Sequence, residues 1–304
     1  MLSKVSRKLR TAPWHTRGGE RALPYLLIAP TVAVLVALSI YPLIYAVKVS
    51  LQADAGGGAR WTLQNFARLL SDDFFLSALA HTLCYAVIAL TAEFLLGLGL
   101  AVLLNRELRG RSFFRAALLV PMMLPPVVVG VVWRLMLNPN FGAINGTLQA
   151  CGVNTERLTW TASPTLAFAS VIVVDIWQWT PFMFLILLAG LQAIPEEPYE
   201  AALIDGSSAW QTFRHITLPL LRPAILIALL LRTMDLLRVF DQIFILTEGG
   251  PGSATETISL YIYRTAFRFG DFGYAAAMSF VLLLLTNVVS VLYIRLLQRQ
   301  EEEA

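Results

Sequence analysis

The chain has 304 residues, of which 57% are hydrophobic and 14% charged, with a formal net charge of +3. A soluble domain carries about 25% charged and about 45–50% apolar residues, so the composition excludes an ordinary soluble domain and points to a polytopic membrane protein. Lysine occurs only at Lys4, Lys8 and Lys48, and the arginines gather at the borders of apolar blocks, which is not the footprint of a nucleic-acid-binding surface.

Residues 1–22 are basic, with Lys4, Arg7, Lys8, Arg10, Arg17 and Arg21 ahead of an apolar block. That block is too long for a cleaved signal peptide, and no small-residue cleavage site follows it. The expectation is a basic tail leading into an uncleaved first span over 23–50, kinked at Pro30 and Pro42. Residues 51–77 are polar, with Gly56-Gly57-Gly58 marking a flexible turn. A second span over 78–104 carries Glu93, and a short basic loop follows with Arg106, Arg109, Arg111 and Arg115. The third span, 114–137, is broken by Pro121 and Pro125-Pro126. Residues 138–163 are rich in Asn, Gly and Thr and read as an external loop.

The fourth span, 164–191, holds Asp175-Ile176-Trp177-Gln178-Trp179 near its middle, with Pro181 after it. The polar segment 195–223 comes next, then a fifth span over 223–247 with Arg232, Asp235, Arg238 and Asp241. Gly250-Pro251-Gly252 opens an external loop reaching to 272, and a sixth span covers 273–296 before the acidic end. The expected fold is all-α: a polytopic membrane bundle of six transmembrane helices over 23–298, with tails at 1–22 and 299–304. Cys84 lies in a span and Cys151 in a loop, so neither a disulfide nor a metal site is expected.

Basic residues favour the cytoplasmic side. With the N-terminus inside, the inner pieces hold fourteen Lys and Arg and the outer pieces six. Both termini are therefore expected in the cytoplasm, together with the segment 195–223.

That segment, PEEPYEAALIDGSSAWQTFRHITLPLLRP, reads as a folded unit rather than a solvated loop. Pro195 can open a helix, with Pro198 in its first turn and Glu196 and Glu197 at the positive end of its dipole. Gly206 suits the stop of that helix, Ser208 and Gln211 have capping-box spacing for a second one, and Leu218-Pro219 ends it. Ala201, Ala202, Gly206 and Ala209 are small enough for another surface to approach closely, and Glu200 stands ahead of them as a fixed charge. The unit has the character of a docking element.

Glu200-Ala201-Ala202, then three residues, Gly206, nine residues, Ile216, one residue and Leu218-Pro219 resembles the EAA motif of bacterial ABC importer permeases at every fixed position. The longer string EAALIDGSSAWQTFRHITLPLLRP, which includes Asp205, is similar to the carbohydrate-uptake branch, the maltose- and glycerol-phosphate-like permeases. The resemblance implies a multi-pass protein of the bacterial cytoplasmic membrane in which this segment is the coupling helix that fits a cleft of a separate ATPase. It implies an ABC ATPase dimer that binds ATP and Mg, a second homologous permease chain, and an extracytoplasmic substrate-binding protein. It also implies that the motif glutamate, here Glu200, meets a basic residue of the ATPase. No GxxxxGK[ST] sequence occurs, so the chain has no P-loop of its own for ATP, and it lacks the long extra external domain of some maltose-type members.

Ionisable groups within spans face a bundle interior or a watery cavity. Asp175, Trp177, Gln178 and Trp179 could form a carbohydrate surface, the indoles stacking on C–H faces and the polar groups bonding hydroxyls; interfacial anchoring around a structural Asp fits equally. Arg232, Asp235, Arg238 and Asp241 recur every three residues, a spacing that allows pairs Arg232–Asp235 and Arg238–Asp241 along the helix. Asp235 and Asp241 are the better candidates for lining a solute pathway, with Glu93 third, since a buried carboxylate also serves as a paired structural group. No HExxH or Ser/His arrangement offers a catalytic site. The remaining alternative is an ion-coupled secondary transporter, which shares proline-broken spans and membrane acids but has no use for the 195–223 segment.

Overall fold

The computed structural model describes residues 19–54, 59–106, 109–155 and 158–303. The expected turn at Gly56-Gly57-Gly58 and most of the basic tail lie outside the described residues. The first helix, α1, covers Gly19–Ser50 and runs unbroken through Pro24, Pro30 and Pro42. A short antiparallel hairpin, β1 (Gln52–Asp54) with β2 (Ala59–Trp61), and a one-and-a-half-turn helix α2 (Gln64–Leu69) occupy what the sequence presents only as a polar linker.

The long helix α3 spans Asp73–Asn105. Then α4 (Arg111–Met123) and α5 (Pro126–Met136) form the broken third span, bent by 95° at the prolines. The bend follows from chemistry: Pro125 and Pro126 supply no amide to continue the ladder, and Pro126 starts the next helix in the first-turn position where that amide is not needed. A short α6 (Ala143–Ala150) precedes α7 (Pro164–Ala193), which begins the same way at Pro164. The polar segment contains α8 (Glu197–Ile204) and α9 (Ala209–Thr212), followed by α10 (Leu218–Leu237) and α11 (Asp241–Leu246). After α12 (Ile258–Tyr263), α13 runs over Phe272–Glu303. Among the described residues, five helical stretches are long and apolar enough to cross a bilayer, and the bent pair α4–α5, taken as one span, brings the number to six.

The fifth span departs from expectation. It does not run to 247 as one helix: α10 closes at Arg238, whose amide turns back onto the Asp235 carbonyl at 3.1 Å, and the chain restarts at Asp241. Phe240 at this break stacks on Phe244 and packs against Tyr263, with ring centroids 5.3 and 5.2 Å apart, so side-chain packing holds a break that hydropathy does not reveal.

Helix α7 is the centre of the bundle. Of its most apolar stretch 61% is buried, against 0% for α1, which meets the bundle mainly along α13. Small residues permit the closest approaches. A Cβ at Gly97 of α3 would fall 2.6 Å from Met183 Cβ, and one at Gly190 would fall 2.5 Å from Ala224 Cβ. Membrane helices pack through such small residues because lipid tails give no hydrophobic drive between them. The packed side chains form three clusters: one around Ala101, Phe184, Leu187 and Leu221, one around Tyr85, Val171, Leu236 and Ile243, and one around Phe75, Ile258, Tyr274 and Met278.

The loops beyond the last cluster are tied by Asp72. Its carboxylate caps α3 through the amides of Phe74 and Phe75 and accepts from the hydroxyls of Tyr261 and Tyr274 at 2.8 and 2.6 Å. Burial pushes this carboxyl up, but the Tyr274 and Tyr261 hydroxyls and the two amides outweigh it and hold the group below its ordinary value. Both cysteines are free.

Replacing Gly97 with Leu should overpack the α3–α7 seam and cost about 1–3 kcal/mol. Thermal unfolding in detergent should show a clear drop for Gly97→Leu and almost none for Gly99→Leu, since nothing lies within 4 Å of a Cβ at Gly99.

Candidate functional site

Two regions carry the chemistry. The first is the segment from Pro195 to Pro223. Its helix opens at Glu197 rather than at Pro195, with Pro198 in the first turn as expected. It closes in a Schellman motif: the amide of Ser207 donates to the Ala202 carbonyl at 2.9 Å and that of Gly206 to Leu203 at 3.2 Å. Gly206 has φ +71°, and nothing lies within 4 Å of the position of a Cβ. The glycine is thus needed for its backbone conformation, not for room within this chain. The capping box forms as the spacing indicates: Gln211 Oε1 accepts from the Ser208 amide at 2.8 Å, and Ser208 Oγ accepts from the Gln211 amide.

Leu218-Pro219 does not end the second helix. A π-helical turn over Phe213–Thr217 carries α9 directly into α10, with the Leu218 amide donating to Phe213 O, five residues back. The wide turn makes room for the Pro219 ring, which an unbroken α-helical ladder would not accommodate. The docking unit and the fifth span are therefore one continuous helical rod. Tyr199 Oη donates to Thr217 Oγ1 at 3.2 Å and ties α8 to that turn.

Glu200, Ala201, Asp205, Gly206 and Pro219 are exposed, Ile216 and Leu218 are half-buried, and Ala202 packs inward. Sequence reasoning missed Leu203 and Ile204, which are 77% and 86% exposed at the end of α8, and Trp210, 66% exposed on α9. These are large apolar side chains with no cover from this chain. The signal is present in the motif string as LI between two alanines and an aspartate, but a string alone does not tell an uncovered leucine from a packed one. Behind them lies a groove of about 630 Å³ between the last turn of α3 and α8–α9, walled by Asn105, Tyr199, Trp210 and Phe213.

The second region is a polar cluster in the middle of the bundle. Arg232 of α10 donates from Nε to Glu93 Oε2 at 2.7 Å and from Nη2 to Glu93 Oε1 at 2.9 Å, a two-pronged pair, and Nη2 also bonds Asp175 Oδ2. The guanidinium carbon sits 4.9 Å from the centroid of the Trp179 ring. Next to it, Gln178 donates to the Leu124 carbonyl at 2.9 Å, a group exposed by the α4–α5 break, and accepts from Gln242 of α11. The cluster joins α3, α7, α10, α11 and the bend.

Glu93, Asp175 and Gln178 are essentially fully buried there, and Trp179 is half-buried. Trp177 points elsewhere: it is exposed on the other side of α7 and packs edge-on against Trp133 at 5.5 Å. The four residues thus do not share one surface, because successive positions on a helix are turned by about 100°. Asp235 and Asp241 are both exposed. The expected pairs Arg232–Asp235 and Arg238–Asp241 do not form. Arg232 reaches across to other helices, and Arg238 sits back on Asp235 at 3.6 Å because the α10–α11 break separates it from Asp241. Among the described residues no group of three or more His, Cys, Asp or Glu is placed to hold a metal.

Residues 93–302 match the family described as the inner membrane component of binding-protein-dependent transport systems. The chain belongs to this family. Among its relatives, the trehalose/maltose transport system permease protein MalF of Thermococcus litoralis is 39% identical over 279 residues, covering 91% of this chain and 94% of that protein. The trehalose transport system permease protein SugA of Mycobacterium tuberculosis is 34% identical over 302 residues, 97% of this chain and 96% of that one. A chain of a bacterial alginate ABC transporter, solved with its alginate pentasaccharide-bound periplasmic protein, superposes with a TM-score of 0.82 over 93% of this chain and 96% of its own, at 24% identity, and so shares the fold. The protein is accordingly a multi-pass inner-membrane transport subunit.

Leaving two buried carboxylates without their cation is expensive; removing one member of a buried ion pair typically costs about 3–5 kcal/mol. Arg232→Met should lower the thermal midpoint of the purified protein sharply, and adding Glu93→Gln and Asp175→Asn to it should recover most of the loss. Equal stability of Arg232→Met and wild type would remove the cluster from its structural role.

Proposed function

We propose that this chain is the permease subunit of a binding-protein-dependent ABC importer for a carbohydrate-type solute, a sugar, oligosaccharide, polyol or glycerol phosphate. Transport runs by alternating access and is driven by a separate ABC ATPase dimer, which binds the ATP and Mg. A second homologous permease chain completes the pathway, and an extracytoplasmic binding protein delivers the solute to the loops around α6, α12 and the start of α13. Both termini and the α8–α9 unit lie in the cytoplasm, in line with the excess of basic residues on that side. The trehalose/maltose and trehalose systems named for the relatives support the carbohydrate class.

The observation that carries this reading is the shape of the α8–α9 unit. A helix closed by a left-handed glycine presents Glu200 and bare Leu203 and Ile204 outward, and a second short helix runs without interruption into a membrane span. A knob of this kind suits a cleft in a partner, the apolar tip filling it and Glu200 meeting a basic residue on its wall. Movement of the partner is then passed along α10 to Arg232. Asp235 and Asp241, exposed on α10 and α11, and Trp179 beside Arg232 are the groups placed to face a solute between the two permease chains.

Uptake by cells carrying Gly206→Val or Glu200→Lys should fall to background while the permease stays at wild-type level in the membrane. A β-branched residue resists φ +71°, and the charge reversal repels a basic partner group. Normal uptake with both substitutions would remove the docking role from the segment. Asp235→Ala should lower uptake while leaving ATPase assembly intact, and unchanged uptake kinetics would take Asp235 out of the pathway.

A further inference from the structure

Helix α3 runs from the groove beside α8, at Asn105, to the far end of the bundle, where Phe74 lines the first of two adjoining cavities. This cavity holds about 370 Å³ and is walled by Phe74, Ser253, Glu256, Tyr261, Arg264 and Phe269. The second holds about 780 Å³; Phe269 lines it too, together with Gln52, Gln64, Arg68 and Asp271. Small-molecule sites run from about 300 to about 1,000 Å³, so both have the size of one.

The smaller cavity is built around a buried charge. Glu256 is 6% exposed, and its Oε1 accepts from Arg264 Nη1 at 2.9 Å, while among the described residues no hydrogen bond reaches Oε2. Burial pushes this carboxyl up further than Arg264 draws it down, so the carboxylate is short of donors. Arg264 also holds the Glu248 carbonyl through Nη2, which commits two of the five N–H groups of its guanidinium. Tyr261 gives its hydroxyl to Asp72 at 2.8 Å and so contributes its ring. The rings of Phe74 and Phe269 are exposed.

Arg264 and Phe269 reach one cavity through a local change of helical geometry. Helix α12 passes into a π-helical turn over Arg264–Arg268, closed by the Phe269 amide on the Arg264 carbonyl at 3.0 Å. On an α-helix, positions five apart are turned about 140° from each other. The wider turn brings both to the cavity wall. Single π-helical turns of this kind recur at functional sites.

These groups select a ligand chemistry. Glu256 and Arg264 balance each other, so the cavity favours a neutral solute over an ion. An acyl chain would satisfy the rings but leave Glu256 Oε2 without a donor, which is costly for a buried carboxylate. A sugar ring has apolar C–H faces for the phenyl rings and an edge of hydroxyls, each of which both donates and accepts. We propose that the smaller cavity is an entry subsite for a neutral sugar ring, which stacks on Phe269, donates to Glu256 and accepts from Arg264. The next ring of an oligosaccharide continues past Phe269 into the larger cavity, where Gln52 and Gln64 are the open polar groups; Asn65 is committed to the Ser50 and Gln52 carbonyls and Arg68 to Asp271. The subsite rests on the carbohydrate reading above, and on that reading's topology it lies on the side from which the solute arrives.

The test is saturation-transfer difference NMR on the assembled transporter in lipid nanodiscs, without maltoside detergent and without binding protein, using trehalose and maltose as probes. Wild type should transfer saturation to at least one of them. Phe269→Ala and Glu256→Gln should each lose most of that signal. Phe267→Ala, which removes a neighbouring exposed ring that lines neither cavity, should keep it. Signal kept by both Phe269→Ala and Glu256→Gln would place the sugar elsewhere and overturn the subsite. Phe269→Ala that keeps the sugar signal but no longer captures the binding protein would make the cavity a protein contact instead. Uptake of the two labelled sugars by cells is measured separately. Uptake without any saturation transfer from wild type would overturn the subsite alone. Transfer that depends on Phe269, without uptake, would overturn the importer reading and leave the subsite standing.

Discussion

The structure depends on one arginine held between two carboxylates in the middle of an apolar bundle. Inserting a single charged residue at the centre of a membrane helix costs about 2.5–3.5 kcal/mol on insertion scales. Here three such groups, Glu93, Asp175 and Arg232, sit on three different helices and satisfy one another. None of α3, α7 or α10 can shift far from the others without exposing a charge to hydrocarbon. A core of leucines alone would let them slide, because lipid solvates leucine as well as another helix does. The glycine contacts at Gly97 and Gly190 set how closely the helices approach, and the charge cluster sets their register.

The same arginine lies at one end of a lever. From Leu218 to Arg232 the rod runs about 21 Å, and through the π-helical turn it is continuous with α9. A rigid rod transmits displacement without loss over that distance. The Schellman closure at Gly206, the Tyr199–Thr217 bond and the capping box at Ser208 keep the knob itself from yielding. The polar cluster then forms the point at which a pull on α10 is felt by α3 and α7 together.

Much of this was legible in the residues. Proline pairs marked the α4–α5 break, the Gly206 stop and the Ser208–Gln211 cap are local chemistry that tertiary structure had no reason to override, and six spans follow from hydropathy. What was not legible depended on contacts distant in sequence. Arg232 is 139 residues from Glu93 and 57 from Asp175, so spacing along α10 pointed to Asp235 instead. The α10–α11 break rests on ring packing among Phe240, Phe244 and Tyr263 rather than on a proline or glycine. Leu218-Pro219 read as a stop because a π-helical turn leaves no signature in composition. The polar stretches between spans looked like linkers, yet Asp72 gathers two tyrosines 189 and 202 residues away.

The most direct measurement places a photo-crosslinking amino acid at Ile204, the most exposed apolar residue of the knob, in the transporter assembled in its own membrane. The account predicts an adduct with an ABC ATPase subunit, identified by mass spectrometry, whose yield changes when ATP is trapped in the complex. Adducts with lipid alone, with the ATPase present in the same membranes, would contradict the claim that this tip is seated in the motor.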